Sequence, residues 1–288
     1  MKRIIVAALA ALLLLLCGCA CADNAEKRLT EANEKLADLD SAHMQIQFVI
    51  STDEPSGYDV VMDMDVDMTG YSDPSALAEK GTVHLKLGMA GEAMRYDQNM
   101  QFCMWNDGGA MRVAFSLDGK TWYDANSALE GQGIPFFDNV SVFNLTVTPN
   151  GNVTEQWQDL FKPYLKLFHR SGRETVEGVK LTMYEATIEG ETLNEILQKF
   201  QNMISFSDEL ANELPGIKVR IGIDSKGYPA YMEFDMGAFM QKFIEHMGET
   251  DVPGVEMRMT CIYLDFDAID PIVPPDDSQI TDLRSLMP

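Results

Sequence analysis

The chain contains few basic residues, and this scarcity limits its electrostatic partners. It has 22 Lys and Arg against 45 Asp and Glu, a net charge of −23. If residues 1–18 are removed, as argued below, Lys2 and Arg3 are lost and the net charge falls to about −25. A surface of this sign repels nucleic acid phosphates and anionic lipid head groups. We therefore expect no nucleic acid partner.

The sequence also lacks the spacings that catalytic and metal sites require. The four histidines show no H-x-x-x-H or H-E-x-x-H pattern, which argues against zinc. There is no G-x-S-x-G elbow, no S-x-x-K pair and no glycine-rich phosphate loop. Acidic pairs are frequent at this composition, so they do not indicate a glycosidase. We expect a non-enzymatic protein without a cofactor.

One acidic strand resembles the beginning of a calcium-binding loop. Asp63, Asp65 and Asp67 have the required spacing, but Met68 stands where the loop needs Gly and Pro74 where it needs Glu. On a strand these carboxylates would project in one row about 7 Å apart. A solvated face is therefore the favoured interpretation, with a calcium site as the alternative.

Cysteines are scarce after the first 21 residues. Only Cys103 and Cys261 remain. They are compatible with one disulfide in an oxidising compartment or with two unpaired, buried thiols. The sequence leaves both possibilities open because it does not establish their proximity.

The N-terminus has the form of an export signal. Two basic residues precede an apolar run from Ile4 to Leu16, which is too short to be a typical spanning helix. The following Leu16-Cys17-Gly18-Cys19 resembles the bacterial lipobox, in which the last cysteine receives a diacylglycerol and begins the mature chain. The competing possibility is ordinary cleavage after Ala20-Cys21-Ala22. We predict a signal peptide over residues 1–18 and a lipid on Cys19 that anchors the protein to the extracytoplasmic side of the cell membrane.

The first half of the mature chain changes from helical to strand periodicity. Apolar residues recur at helical spacing over residues 23–41, and alternation with a period of two begins at Ala42. Short turns separate the strands, which indicates an antiparallel meander with one solvated face. The predicted strands are 42–50, 58–68, 82–89, 93–97, 101–106 and 111–117, with turns at 97–99, 106–109 and 118–119.

The second half mixes helices and strands. Helices are predicted at 155–169, with an interruption at Pro163, at 192–204 and at 237–247. Strands are predicted at 179–188, 218–223, 228–236 and 256–266. Together these patterns predict one α+β domain over residues 19–275, in which the helices pack on one face of an antiparallel sheet. Residues 276–288 are predicted to form a flexible acidic tail.

Three segments resemble a known group of lipoproteins. Residues 95–109 (RYDQNMQFCMWNDGG), 178–184 (GVKLTMY) and 223–229 (IDSKGYP) are similar to strands and turns of uncharacterised Gram-positive lipoproteins that share the fold of LolA, LolB and the LppX and LprG lipoproteins. The resemblance covers most of residues 23–275. It implies a strongly curved antiparallel sheet, an open half-barrel, wrapped around helices. It also implies an apolar cavity, which carries acyl chains in the characterised members.

The chain is rich in methionine, with 19 residues. Methionine is flexible and polarizable, so a wall lined by it adapts to variable apolar ligands, although the same residues also suit a solid core. We predict that an acyl chain or similar apolar ligand binds between sheet and helices. The predicted wall residues are Met62, Met64, Phe102, Met104, Met111 and Phe115, covered by Phe161, Tyr164 and Phe168.

A second hypothesis makes the protein a surface interaction module with a packed core. Its partner would be an envelope protein or a wall polymer. Aromatic residues would then serve as exposed anchors, since such residues commonly supply interface hot spots. The candidates are Trp105, Trp122, Tyr123 and Trp157.

Overall fold

The computed structural model describes residues 24–52, 58–70, 73, 75–89, 96–125, 162–199, 213–246 and 254–282. Helix α1 spans Asn24–Ala37, α2 Gly190–Lys199 and α3 Gly237–His246. The strands in the first half of the chain are β1 Ser41–Thr52, β2 Tyr58–Thr69, β3 Ala78–Met89, β4 Tyr96–Asp107, β5 Ala110–Ser116 and β6 Trp122–Asp124. The later strands are β7 His169–Val176, β8 Val179–Ile188, β9 Ile217–Ile223, β10 Pro229–Asp235, β11 Val255–Leu264 and β12 Ile280–Asp282.

The twelve strands of the described residues belong to one open sheet. Their order is β12-β6-β5-β4-β3-β2-β1-β11-β10-β9-β8-β7. Every pairing is antiparallel except that of β12 with β6, which is parallel. The architecture confirms the predicted α+β class, in which an antiparallel sheet carries helices against one face.

The helices cover one side of the sheet, which we call the helix-side face. Period-two alternation places apolar residues of adjacent strands together there, as in the partners Phe48 and Met259. Leu29, Ala32 and Leu36 of α1 are buried in the same core. Their spacing of three to four residues gives the helix one apolar stripe.

The opposite side, the outer face, is largely polar over β1 and β2. Gln47 Nε2 donates to Asp63 Oδ1 at 2.9 Å, and His43 Nδ1 lies 2.9 Å from Asp67 Oδ1. The acidic row of β2 is thus the row of outward-facing carboxylates that the alternation predicts. Within the described residues no group of His, Cys, Asp and Glu is arranged to hold a metal ion.

The chain after β11 crosses the outer face, and we call residues 265–282 the C-terminal strap. At its start the Asp267 N–H donates to the Ser41 carbonyl at 2.8 Å. Further on, Ile272 and Ile280 pack on an outer-face cluster of the β3–β6 region, and Asp277 Oδ1 lies 2.7 Å from Arg112 Nη1. Residues 276–282 are therefore paired and capped, in place of the loose structure predicted for this part of the tail. Residues 283–288 lie outside the described residues.

Two predicted elements, a turn and a helix, differ from the structure. The predicted turn at residues 97–99 is the interior of β4, because Asp97 and Asn99 pair with Lys86 and His84 of β3. The predicted helix 155–169 is, in its described part, a 3-10 turn over Lys162–Leu167, followed by β7. Pro163 explains this start, since proline lacks an N–H and fits only the first turn of a helix.

Candidate functional site

The helix-side face divides into a closed half and an open half. Across β1 and β9–β11 its apolar side chains are buried, as Phe48, Phe234 and Met259 illustrate. Across β2–β5 many of them remain half-buried, and we call this set the open wall. Its members are Val60, Met62, Met64, Leu85, Leu87, Met100, Phe102, Val113 and Phe115.

Register explains why these side chains form one surface. Met64 pairs with Val83, Val83 with Met100, and Phe102 with Phe115. Because side chains alternate along each strand, direct partners lie on the same face. The open wall is therefore a largely apolar surface four strands wide, in which the polar Gln98 lies opposite Leu85.

The sequence-predicted wall residues fall on this face. Met62, Met64, Phe102 and Phe115 belong to the open wall, whereas Met104 is buried at its end. Met111 has the matching strand position, opposite Asn106, but its side chain lies outside the described residues.

Two of the predicted covering residues are buried in the main core, against which Met62, Met64 and Phe102 also pack. Tyr164 and Phe168 are buried in the main core, and the 3-10 turn that carries Tyr164 contacts α1 and β8. The Tyr164 hydroxyl donates to Glu195 Oε2 of α2 at 3.3 Å. Phe161 lies outside the described residues. The cover of the open wall thus stays a prediction.

Glu79 is a polar residue that the sequence analysis missed. It lies on the helix-side face between its partners Met68 on β2 and Met104 on β4. Burial disfavours the charged form and raises the pKa of the Glu79 carboxyl from 4.5 to about 7. The sequence did contain a signal for this position, because extending the alternation of β3 back from Val83 assigns Glu79 to the apolar face. The predicted strand began only at Thr82.

The tryptophans of the second hypothesis are buried within the described part of the chain. Trp105 is 8% and Trp122 is 7% exposed, in the outer-face cluster beneath Ile272 and Ile280. Tyr123 is half-buried against the Phe115 ring, with centroids 5.7 Å apart. The prediction that Trp105 and Trp122 are exposed anchors is wrong, because the C-terminal strap packs over their cluster. Trp157 lies outside the described residues.

The two internal cysteines are buried on opposite faces of the sheet and form no disulfide with each other. Cys103 belongs to the outer-face cluster and Cys261 to the main core. Burial raises the pKa of the Cys103 thiol to about 11, although Lys80 lowers it somewhat. The sequence allowed either a disulfide or two buried thiols, and the structure contains two buried thiols.

Comparisons with known proteins give structural neighbours only. No protein-family model matches the chain, and no curated protein matches it. Among solved structures, it is similar to LprF from Mycobacterium bovis at 9% identity, covering 87% of this chain and 95% of that one, with a TM-score of 0.43. It is similar to the lipoprotein LppX from Mycobacterium tuberculosis at 12% identity, covering 86% and 97%, with a TM-score of 0.43. A third neighbour is an outer membrane lipoprotein-sorting protein domain from Vibrio parahaemolyticus, at 7% identity, 88% and 94% coverage and a TM-score of 0.25.

These neighbours include the LppX and lipoprotein-sorting groups that the sequence resembles. The narrower likeness to Gram-positive lipoproteins stays a prediction. None of the helices within the described residues combines the length and the hydropathy that a membrane-spanning helix requires.

Proposed function

We propose that this chain is a non-enzymatic extracytoplasmic lipoprotein, anchored through lipid on Cys19, that binds an acyl chain or a similar apolar ligand on the open wall. The observation that carries the proposal is the contrast between the two halves of the helix-side face. In the closed half the apolar side chains are buried, whereas on the open wall apolar side chains of four adjacent strands are only half-buried. Contiguous apolar surface of this kind is typical of a binding site.

The energetics favour such a ligand. Burial of apolar groups gains about 0.8 kcal/mol for each CH₂, so a sixteen-carbon chain gains on the order of 10 kcal/mol before ordering costs. Three methionines lie on the wall, Met62, Met64 and Met100, and their flexible thioethers can adapt to chains of different shape. No catalytic group is needed for this function.

Glu79 fits the proposal because it is neutral over part of the pH range. An apolar ligand that covers an ionised carboxylate removes it from water at high cost, whereas a protonated carboxyl costs much less to cover. With its pKa raised to about 7, Glu79 is largely protonated below neutral pH. We therefore expect apolar ligands to bind more tightly at pH 6 than at pH 8.

The surface-module hypothesis has less support. It requires exposed aromatic anchors, and Trp105 and Trp122 are buried. An exposed aromatic side chain does occur on Tyr96 at the start of β4. A single exposed tyrosine is ordinary on a protein surface and indicates no partner.

Native mass spectrometry of the mature chain, residues 19–288 with Cys19→Ala, tests the proposal. The substitution removes the covalent lipid, so any added lipid mass must be bound non-covalently. We expect protein purified from cells to carry one apolar ligand, removable by organic extraction and replaceable by palmitic acid. Protein that shows only its own mass, before and after incubation with palmitic acid, would refute the binding function.

A further inference from the structure

A basic cleft lies at the β7 edge of the sheet, away from the open wall. Its volume is about 750 Å³, and it is bounded by α1, β7, β8 and the β9–β10 hairpin. Five of the 22 Lys and Arg residues of the chain line it, together with two carboxylates, Glu31 and Asp224. The five are Arg28, Lys35, Arg170, Arg173 and Lys226. The cleft is thus a positive site on a strongly acidic protein.

A bulge in β7 brings two of these cations to the same side. Residues 170 and 173 would point to opposite faces in a regular strand, because side chains alternate. The register with β8 shifts between Arg170 and Gly172, so Arg170 pairs with Tyr184 and Arg173 with Thr182. Tyr184 and Thr182 both line the cleft. Bulges commonly re-aim a side chain in this way.

The hairpin side of the cleft is also well defined. Lys35 Nζ donates to the Lys226 carbonyl and lies 5.1 Å from the centroid of the Tyr228 ring. Gly227 permits this approach, since it has φ +90° and a Cβ there would lie 3.1 Å from Lys35 Nζ. These contacts hold Lys35 in place. Its ammonium group has three N–H donors, so further donors remain for a ligand.

The carboxylates of the cleft are engaged, whereas several of its cations are not. Glu31 lies 3.7 Å from Lys27 and 3.8 Å from Arg28, and Asp224 Oδ1 accepts the N–H groups of Lys226 and Tyr228, each at 2.8 Å. Within the described part of the chain, the side chains of Arg170, Arg173 and Lys226 make no hydrogen bond or ion pair. Like charges repel one another, so an anion that enters the cleft relieves the repulsion among these cations.

We propose that the cleft binds a phosphate group, carried either by a lipid head group or by a small soluble phosphate ester. The guanidinium groups of Arg170 and Arg173 lie on one side of the cleft. A guanidinium group binds two oxygens of a phosphate through two parallel hydrogen bonds. Lys35 and Lys226 add point charges from the opposite side. The inference does not depend on the apolar ligand of the open wall, which is a separate site. The net charge of the chain did not predict this local cluster of cations.

Isothermal titration calorimetry, which measures the affinity of the mature Cys19→Ala chain for added ligands, tests this inference. Inorganic phosphate represents the soluble source, and dihexanoyl phosphatidylglycerol, a water-soluble lipid, represents the head group. We expect saturable binding of at least one of them. The double variant Arg170→Gln/Arg173→Gln should weaken it by about tenfold or more, as expected for the loss of two charge-assisted contacts. Binding should also weaken as salt rises from about 50 to about 300 mM.

The matched control is Lys86→Gln/Lys120→Gln, which removes the same charge from exposed residues outside the cleft. It should bind like wild type, and thermal unfolding should show that all variants are folded. Lys226→Gln, on the hairpin, provides a second cleft variant that leaves β7 intact, and it should also weaken binding. Binding of the lipid alone identifies a head group, and binding of inorganic phosphate identifies the soluble source. Absence of binding to either ligand, or equal weakening in the control, would overturn the assignment.

Discussion

Phe48 of β1 and Met62 of β2 are direct register partners on the helix-side face, yet Phe48 is 2% exposed while Met62 stays half-buried. The boundary between the closed core and the open wall therefore runs between two adjacent strands. Both sides of the boundary have similar apolar sequences. The described helices contact β10 and β11 most extensively, which accounts for the difference. We propose that the boundary separates residues that stabilise the fold from residues that bind a ligand.

Stability should depend on the ionisation of Glu79. A carboxyl whose folded pKa is raised from 4.5 to about 7 stabilises the folded state most when it is protonated, so stability should fall as pH rises from about 4.5 to 7 and then level off. The full shift corresponds to at most about 3 kcal/mol, an upper bound because Glu79 retains some contact with water.

Urea unfolding of wild type and Glu79→Gln between pH 4.5 and pH 8 measures this effect. The neutral amide cannot ionise, so the variant should lose that part of the pH dependence and be the more stable protein at pH 8. The difference between the two proteins isolates Glu79 from all other titrating groups. Parallel curves would contradict the burial of its carboxyl.

The C-terminal strap should depend on Asp267 at its start. Asp267 Oδ1 accepts the N–H of Asp40 at 2.8 Å and that of Ser41 at 3.4 Å, and the residue has φ +55°. Asp267→Ala removes the acceptor and places alanine in a left-handed conformation, so we expect a loss of about 1–3 kcal/mol in the free energy of unfolding. Asp267→Asn keeps an acceptor and tolerates this φ, so it should cost less than about 1 kcal/mol. Equal losses in the two variants would show that the side-chain contact is unimportant.

The internal thiols should be unreactive in the folded protein. Cys103 and Cys261 are buried on opposite faces of the sheet, and thiolate formation at Cys103 is disfavoured. We expect iodoacetamide to label neither under native conditions and both in urea, with peptide mapping to distinguish them from the N-terminal cysteines. A Cys103–Cys261 disulfide recovered from non-reduced protein would be incompatible with this structure.

The proposed anchor is tested by Cys19→Ala. Wild type should fractionate with membranes and carry a thioether-linked diacylglycerol on Cys19, whereas the variant should lack that lipid and lose membrane attachment through it. Cys21→Ala is the matched control, since Cys21 lacks the required spacing, and it should behave like wild type. Wild type without lipid mass on its first mature residue would contradict the lipobox interpretation.

The sequence predicted strands best where one face is strictly apolar. Strand β2 was predicted to within one residue because its alternation is strict. The predicted β8 also matches Val179–Ile188, although its buried residues lie on both faces, with Met183 on the outer face and Tyr184 on the helix-side face. The edge strand β7 was missed because nearly all of its side chains are exposed, so it shows no apolar period. The break predicted in β4 reflects turn-forming residues that the pairing with β3 overrides.

The sites were predictable to different degrees. Alternation alone assigned Met62, Met64, Phe102 and Phe115 to one face, but it did not show which half of that face is covered, because coverage depends on helix placement. The basic cleft was not predicted at all. Its cations come from three segments distant in sequence, and Arg170 and Arg173 share a side only through the bulge.

The most direct test of the central claim compares the same substitution on the two halves of the helix-side face. Met64 lies on the open wall, and Met259 is 1% exposed in the closed core. In the mature Cys19→Ala chain, Met64→Trp should occupy the ligand site, weakening binding of dansyl-labelled undecanoic acid by about tenfold or more with little change in stability. Met259→Trp should instead cost about 1–3 kcal/mol by overpacking. A wild-type chain that binds no acyl ligand, together with a Met64→Trp variant as unstable as Met259→Trp, would show that the open wall is ordinary core.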